Sequence, residues 1–337
     1  MARNAIVIDN RIVMIGKKNT RKRLLKKLKK LVRYNAIINY RLRKKYKMFV
    51  GAMQIEFTSC CNLRCRMCPN SIDTDMRGRG YMDVDLFKKK IIDYIVDNPQ
   101  YYFDLINLWQ GGEALLHPRF GELMEIIGKA KKDTKNFPRV NFLTNGMLLD
   151  RQMAQIILDS GAVDEFDFSI DWGNKEEFEN ARRGAKWETV LENAKNLVNM
   201  NNEREKKVTT GIFSIISLDR HKNFSPEFLD IVQKIDYFHP RPAHDWDGNY
   251  NLELVNKSSC NNAPKKGLCG RIENTLAILW NGLVVPCCND LTGRGIIGDL
   301  NKETLFEIFN GRTRMLYIDL MRKGQRQRIE LCKNCSL

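Results

Sequence analysis

From residue 53 onward, short apolar runs alternate with longer stretches in which hydrophobic residues recur every three or four positions. Runs ending near Phe57, Trp109, Thr144, Asp171, Ser217 and His239 predict strands. Residues 84–96, 120–130, 151–158, 187–200 and 226–235 carry helical periodicity between them. Six strand–helix units in succession predict a parallel, right-handed arrangement with its chemistry at the C-terminal ends of the strands. Six units rather than eight predict an open barrel. The rhythm stops after Trp246, where Asp247-Gly-Asn-Tyr-Asn and Asn261-Asn-Ala-Pro-Lys-Lys-Gly267 read as loop. Beyond it, Leu276 to Trp280, the turn Asn281-Gly282 and Leu283 to Cys287 predict a hairpin, followed by helix over 302–321. The predicted fold class is α/β, a partial (β/α)6 parallel barrel with a small C-terminal hairpin-plus-helix domain.

The amino-terminal region differs in kind. Residues 5–15 predict a small hairpin turning at Asp9-Asn10. Residues 17–47 then hold 15 Lys or Arg and no acid; subtracting those 15 from the net +16 leaves +1 for the rest of the chain. A nearly neutral body is not what a nucleic-acid enzyme presents, so nucleic acid is not expected as a partner. In the basic stretch Leu24, Leu28 and Leu31 fall at helical spacing, with Leu25 and Val32 beside them. Such an arm either lies on an anionic membrane surface or acidic partner, or packs its leucine stripe on the barrel. No apolar run is long enough to span a bilayer, and the run at 5–15 is broken by Asp9, Asn10 and Arg11. The chain is expected to be cytoplasmic, peripheral to the membrane if the arm binds there. The expected organisation is 1–16 hairpin, 17–47 basic arm, 48–245 barrel core and 246–337 C-terminal domain.

Ten cysteines give the chemistry. Their spacings are ligand-like, which fits reduced thiols rather than a disulfide framework. Cys61, Cys65 and Cys68 stand as C-x3-C-x2-C after the first core strand, and the first histidine of the chain is His117. A four-iron cubane normally takes four thiolates, so three local ligands leave one iron open for chemistry. Further on, a strand runs into Gln110-Gly-Gly-Glu113, another ends in Thr144-Asn-Gly146 and a third in Ser169-Ile-Asp171, with Arg182 and Arg183 following.

In this order and spacing, these motifs resemble the radical S-adenosylmethionine (SAM) enzymes, whose core is a six-unit partial barrel. The resemblance implies that Cys61, Cys65 and Cys68 hold a [4Fe-4S] cluster and that SAM occupies the open iron through its amine and carboxylate. It implies that Gly111, Gly112 and Glu113 hold the methionine amino group. Asn145, Ser169, Asp171 and Arg182 look like the groups that contact the SAM ribose and carboxylate.

Cys269-x12-Gly282-x4-Cys287 and the terminal pair Cys332-x2-Cys335 form a second constellation. It is similar to the SPASM/twitch domains, in the shorter one-cluster form, and its spacing is similar to that of twitch dehydrogenases acting on an aminocyclitol hydroxyl. The resemblance implies a second [4Fe-4S] cluster on Cys269, Cys287, Cys332 and Cys335; a zinc-ribbon-like site on the same cysteines is the alternative. Cys287 rather than Cys288 keeps the glycine spacing. Cys60 is expected to be a packed thiol. Cys260 is either idle or a hydrogen-atom donor to a substrate radical.

The resemblance implies hydrogen-atom abstraction by a 5′-deoxyadenosyl radical, with flavodoxin or ferredoxin as reductant. Three readings follow: an oxidoreductase (or epimerase) of a sugar, cyclitol or similar small polar substrate; a modifier of ribosomal peptides; and a non-enzymatic iron–sulfur carrier. The neutral body and the one-cluster domain favour the first. His239-Pro-Arg-Pro-Ala-His-Asp-Trp246 ends the sixth strand, and His244 and Asp245 there are candidate bases for a dehydrogenation.

Overall fold

The computed structural model of the chain describes residues 5–8, 11–14, 42, 44–71, 78–215, 224–241, 243, 246, 248 and 267–335. His244, Asp245, Cys260 and nearly all of the basic arm lie outside the described residues. The six predicted core strands are present as β4 (Ala52–Ile55), β7 (Leu105–Asn107), β8 (Arg139–Thr144), β9 (Glu165–Ser169), β11 (Thr209–Ile215) and β12 (Tyr237–Arg241). They lie side by side in that order, each parallel to the next. The predicted helices follow them as α1 (residues 84–97, including a six-residue π segment, Phe87–Ile92), α2 (Phe120–Asp133), α3 (Arg151–Ser160), α5 (Trp187–Asn202) and α6 (Pro226–Lys234). A short helix that the periodicity did not signal, α4 (Lys175–Ala181), starts where the Asn174 side chain accepts from Glu177 N at 3.0 Å.

Both edges of the six strands are extended by distant parts of the chain. At one edge the amino-terminal hairpin, β1 (Ala5–Ile8) and β2 (Arg11–Met14), pairs Ile8 with Arg11 and lays β1 parallel to β12. At the other, β13 (Thr275–Ile278) of the C-terminal region runs parallel to β4, and β14 (Leu283–Val285) and β15 (Gly298–Asp299) continue antiparallel beyond it. The result is one eleven-stranded sheet, in which the edge that an open barrel would leave bare at β4 is paired. Two small pairs complete the strands among the described residues: β3 (Phe49–Val50) with β6 (Tyr102–Phe103), and β5 (Arg64–Cys65) with β10 (Arg182–Arg183).

The core follows from the strand pattern. Phe57, Phe120, Phe142, Phe166 and Phe168 are buried and make successive ring contacts between 4.9 and 6.3 Å. Phe166 and Phe168 share one face of β9, so Asp167 between them points to the other. There its carboxylate accepts from Asn141 Nδ2 at 2.5 Å and from the Tyr237 hydroxyl at 2.6 Å, and burial pushes its pKa up to about 6. This polar layer ties β8, β9 and β12 together. The helix predicted over 302–321 is two helices, α8 (Leu305–Phe309) and α9 (Arg312–Arg322), with α7 (Gly270–Asn274) packed on the second. Thr304 and Glu307 form a capping box that starts α8, and Gly311 separates α8 from α9.

Candidate active site and cluster ligands

All six core strands point their C-terminal ends at one cavity. The loop after β4 supplies Cys61, Cys65, Met67 and Cys68 to its wall; the segment after β7 supplies Trp109 to Glu113. Thr144 and Asn145 come from β8, Ser169 from β9, Ile215 from β11 and Arg241 from β12. Of the residues expected at the SAM site, Gly111, Gly112, Glu113, Asn145, Ser169 and Arg182 line this cavity. Asp171 stands behind Arg182 instead: its carboxylate is used up by Arg182 Nε and Ile215 N, both at 2.6 Å.

The cysteine loop is held from three sides. Arg182 and Arg183 pair with Cys65 and Arg64 as a two-residue antiparallel ribbon, and Arg66 N donates to Ala181 O at 2.9 Å. The buried Arg182–Asp171 ion pair therefore fixes the backbone next to a cysteine as well as a charge in the wall. Glu113 N donates to Cys60 O at 2.8 Å, which closes the Gly-Gly-Glu turn onto the same loop. Here glycine is required by space: a Cβ on Gly112 would lie 2.1 Å from Thr58 O and 2.5 Å from Cys60 O. The third contact is the Trp246 indole, which donates to Met67 O at 2.8 Å.

Glu113 is 3% exposed, and burial raises its pKa. The opposing contacts hold the carboxylate in place: Oε1 accepts from Thr144 Oγ1 at 2.8 Å, and Oε2 from Asn145 N at 2.8 Å. Asn145 in turn donates from Nδ2 to Asn62 Oδ1 at 2.8 Å, on the cysteine loop. Asn62 and Trp246 are positioning residues that the sequence motifs did not single out, and Thr144, the first residue of the Thr-Asn-Gly motif, positions Glu113. Trp172 and Trp246 are also the non-glycine residues among the described ones with positive φ, 58° and 57°, and both border the cysteine loop. Backbone held in that region is costly and collects around functional sites.

Cys61, Cys65 and Cys68 fit a cluster by position, since each faces the cavity and each lies close enough to feel another's charge. Burial pushes the Cys61 and Cys65 thiols up to about 12 and Cys68 to about 11. Among the described residues no three His, Cys, Asp or Glu side chains converge on a single ion. A cubane spreads its thiolates over separate irons, whereas one tetrahedral zinc draws them to about 2.3 Å from a common centre. Thiols raised in this way favour the cluster-free fold below their ordinary value of 9.0, and that contribution is lost as pH rises through 11 to 12. Cluster-free protein is therefore expected to lose stability between pH 8 and pH 10.5, while cluster-loaded protein, its thiolates already bound, changes little. Denaturant midpoints at the two pH values check this.

The second cysteine set also comes together. Cys332 is buried with Ile318, Met321 and Leu331, and Cys269 and Cys287 pack against the same group. Arg271 places a half-buried cation among Cys269, Cys287, Cys288 and Cys335. Arg326 Nε donates to Cys332 O at 3.2 Å, and Cys335 Sγ lies 3.9 Å from Trp246 O. Cys288 is turned towards the barrel, where its carbonyl accepts from Gln110 Nε2 at 3.0 Å. Cys60 is half-buried beside Tyr81.

The model of the radical SAM superfamily matches residues 55–220, the stretch that builds this cavity from β4 to β11. The chain belongs to the radical SAM superfamily. An iron–sulfur cluster-binding SPASM domain matches residues 269–336, the stretch with the second cysteine set. The protein is thus a radical SAM enzyme with a SPASM domain, and these two domains imply SAM and iron–sulfur clusters as its cofactors.

Its relatives are varied. A tungsten-containing aldehyde ferredoxin oxidoreductase cofactor-modifying protein of Pyrococcus furiosus is 36% identical over 121 residues, 35% of this chain and 30% of that protein. A GTP 3′,8-cyclase of Chlorobaculum tepidum is 29% identical over 142 residues, 42% and 39% of the two chains. The chain thus spans well under half the length of these curated relatives. Among solved structures, BtrN in complex with AdoMet and 2-DOIA superposes with a TM-score of 0.57 at 18% identity, covering 86% of this radical SAM chain and 94% of BtrN. anSMEcpe with bound AdoMet gives 0.62 at 18% identity over 85% and 88% of the two chains. Streptococcus suis SuiB bound to its precursor peptide SuiA gives 0.59 at 13% identity over 96% and 75%. These likenesses establish the barrel and leave the substrate open. No helix among the described residues is long and apolar enough to cross a membrane.

Proposed function

We propose that this radical SAM enzyme is an oxidoreductase that dehydrogenates a sugar, cyclitol or similar small polar metabolite. In this reading Cys61, Cys65 and Cys68 hold one [4Fe-4S] cluster, and Cys269, Cys287, Cys332 and Cys335 hold another. Bound there with SAM, the clusters would supply a 5′-deoxyadenosyl radical for hydrogen-atom abstraction and an acceptor for the electron left on the substrate. Glu113, fixed by Thr144 and Asn145, would anchor the methionine amine, and Arg182 with Ser169 would meet the carboxylate and ribose.

The observation that carries the oxidative reading is the direct contact between the two cysteine regions across the cavity wall. Trp246 donates to Met67 O in the first loop, its own carbonyl accepts from Asn289 Nδ2 at 2.9 Å, and it borders Cys335. Gln110, next to Gly-Gly-Glu, reaches the Cys288 carbonyl. An electron acceptor in the second region would stand against the same cavity as the substrate. His244 or Asp245 would take the departing proton, flavodoxin or ferredoxin would be the reductant, and the arm at 17–47 would contact an anionic membrane surface or an acidic partner.

Loaded enzyme, SAM and reductant, offered deuterated sugars and cyclitols, should give a product two hydrogens lighter, with deuterium in 5′-deoxyadenosine. Deleting residues 335–337 removes one thiolate and should destabilise the second cluster, since ligation there also folds the small domain. Turnover should then fall far more than SAM cleavage without substrate. Equal turnover by the truncated protein, or a product in which the lost deuterium is replaced by one solvent hydrogen, would contradict oxidation and indicate epimerisation.

A further inference from the structure

Among the described residues two guanidinium groups reach the cavity, and they are placed differently. Arg182 is neutralised by Asp171 at 2.6 Å. Arg241 ends β12 with its side chain over the Phe213 ring, 5.6 Å from the centroid. It lines the cavity together with the three loop cysteines, Glu113 and Ser169. Its Nε is sealed from solvent and makes no hydrogen bond among the described residues. The carboxylate whose charge it feels is that of Asp171, whose oxygens already accept from Arg182 and Ile215 N. Towards the second cysteine set Arg241 feels the Cys288 thiol, while Arg271 is the cation placed among Cys269, Cys287, Cys288 and Cys335. A guanidinium whose Nε is sealed from water with no partner among the described residues is costly to keep. Facing a ligand cavity, it is a planar donor fork suited to a carboxylate or phosphate.

We propose that Arg241 binds an anionic group, carboxylate or phosphate, on the substrate, so that the enzyme acts on an anionic rather than a neutral metabolite. This rests on the reading that the cavity takes a small polar substrate beside SAM. It narrows the substrate class, because an aminated or uncharged sugar would leave the sealed Arg241 Nε and the charge behind it unanswered.

The test is binding to the cluster-loaded, SAM-bound enzyme, with inorganic phosphate, acetate, glucuronate, glucose 6-phosphate and glucose as probes. The two sugar anions differ from glucose only at carbon 6, and one carries a carboxylate while the other carries a phosphate. An anion should bind about tenfold or more tightly than glucose, the span of one charge-assisted hydrogen-bonded pair. Which sugar anion binds tighter assigns the group. Arg241→Gln should erase the preference and Arg241→Lys retain part of it, with iron content and SAM affinity unchanged in both. If no probe binds, if glucose binds as well as the anions, or if Arg241→Gln keeps the preference, the proposal is overturned. It is equally overturned if Arg241→Gln weakens SAM binding instead, because Arg241 would then serve the cofactor. Should the variants fail to fold, the wild-type comparison alone decides. Absence of dehydrogenation with anion preference intact would sink the oxidative reading and leave this one standing.

Discussion

Replacing Cys61, Cys65 and Cys68 together by alanine is expected to abolish 5′-deoxyadenosine formation and leave about half the iron bound, because thiolates dominate cluster ligation. The two cysteine sets lie on separate parts of the fold, one on the loop after β4 and the other on the hairpin and chain terminus. Losing one should therefore not unload the other. Iron and sulfide analysis of the anaerobically reconstituted variant reads this directly. Loss of all iron would mean that the second set holds no cluster of its own, and zinc found in its place would favour the ribbon-like alternative.

Asp171→Asn is expected to destabilise the folded protein by about 3–5 kcal/mol, the usual effect of removing one partner of a buried ion pair. Asp171 is 1% exposed; removing its charge leaves the Arg182 guanidinium buried and uncompensated. The damage should also reach the chemistry, since Arg182 pairs with Cys65 through the β5–β10 ribbon. The Lys175–Glu188 pair makes a comparably short contact of 2.7 Å, but both side chains are more than half exposed. Water screens it, and Glu188→Gln should leave the unfolding midpoint unchanged. Denaturant titration of the two variants side by side separates burial from mere proximity as the source of the effect. Equal midpoints would contradict the structural role assigned to Asp171.

Much of the barrel was legible in the sequence because its strands read as short apolar runs, broken by single polar residues such as Asn141 and Asp167, between stretches of helical periodicity. The cysteine loop, Gly-Gly-Glu and the strand ends at Thr144 and Ser169 were legible for a related reason: each motif sits at a strand's C-terminal end. Contacts between distant segments were not. Pairing of β13 with β4, or of β1 with β12, joins residues more than 200 positions apart and leaves no local periodicity. The same holds for the β5–β10 ribbon and for Trp246, whose contacts on Met67, Asn289 and Cys335 lie in three separate stretches. The break at Gly311 was hidden because apolar spacing continues through α8 and α9. Arg241 stood in the stretch His239 to Trp246 as one polar residue among several. Only its sealed Nε at the cavity and the prior commitment of Asp171 to Arg182 set it apart.

The central claim is that this cavity binds and cleaves SAM. Anaerobically reconstituted protein, reduced and mixed with SAM alone, should form 5′-deoxyadenosine and methionine in equal amounts. Glu113→Ala should reduce this by about a hundredfold or more, the effect of losing one preorganised buried polar contact at a reacting group. Protein with a full complement of iron and sulfide that forms no 5′-deoxyadenosine under any reductant would contradict the account.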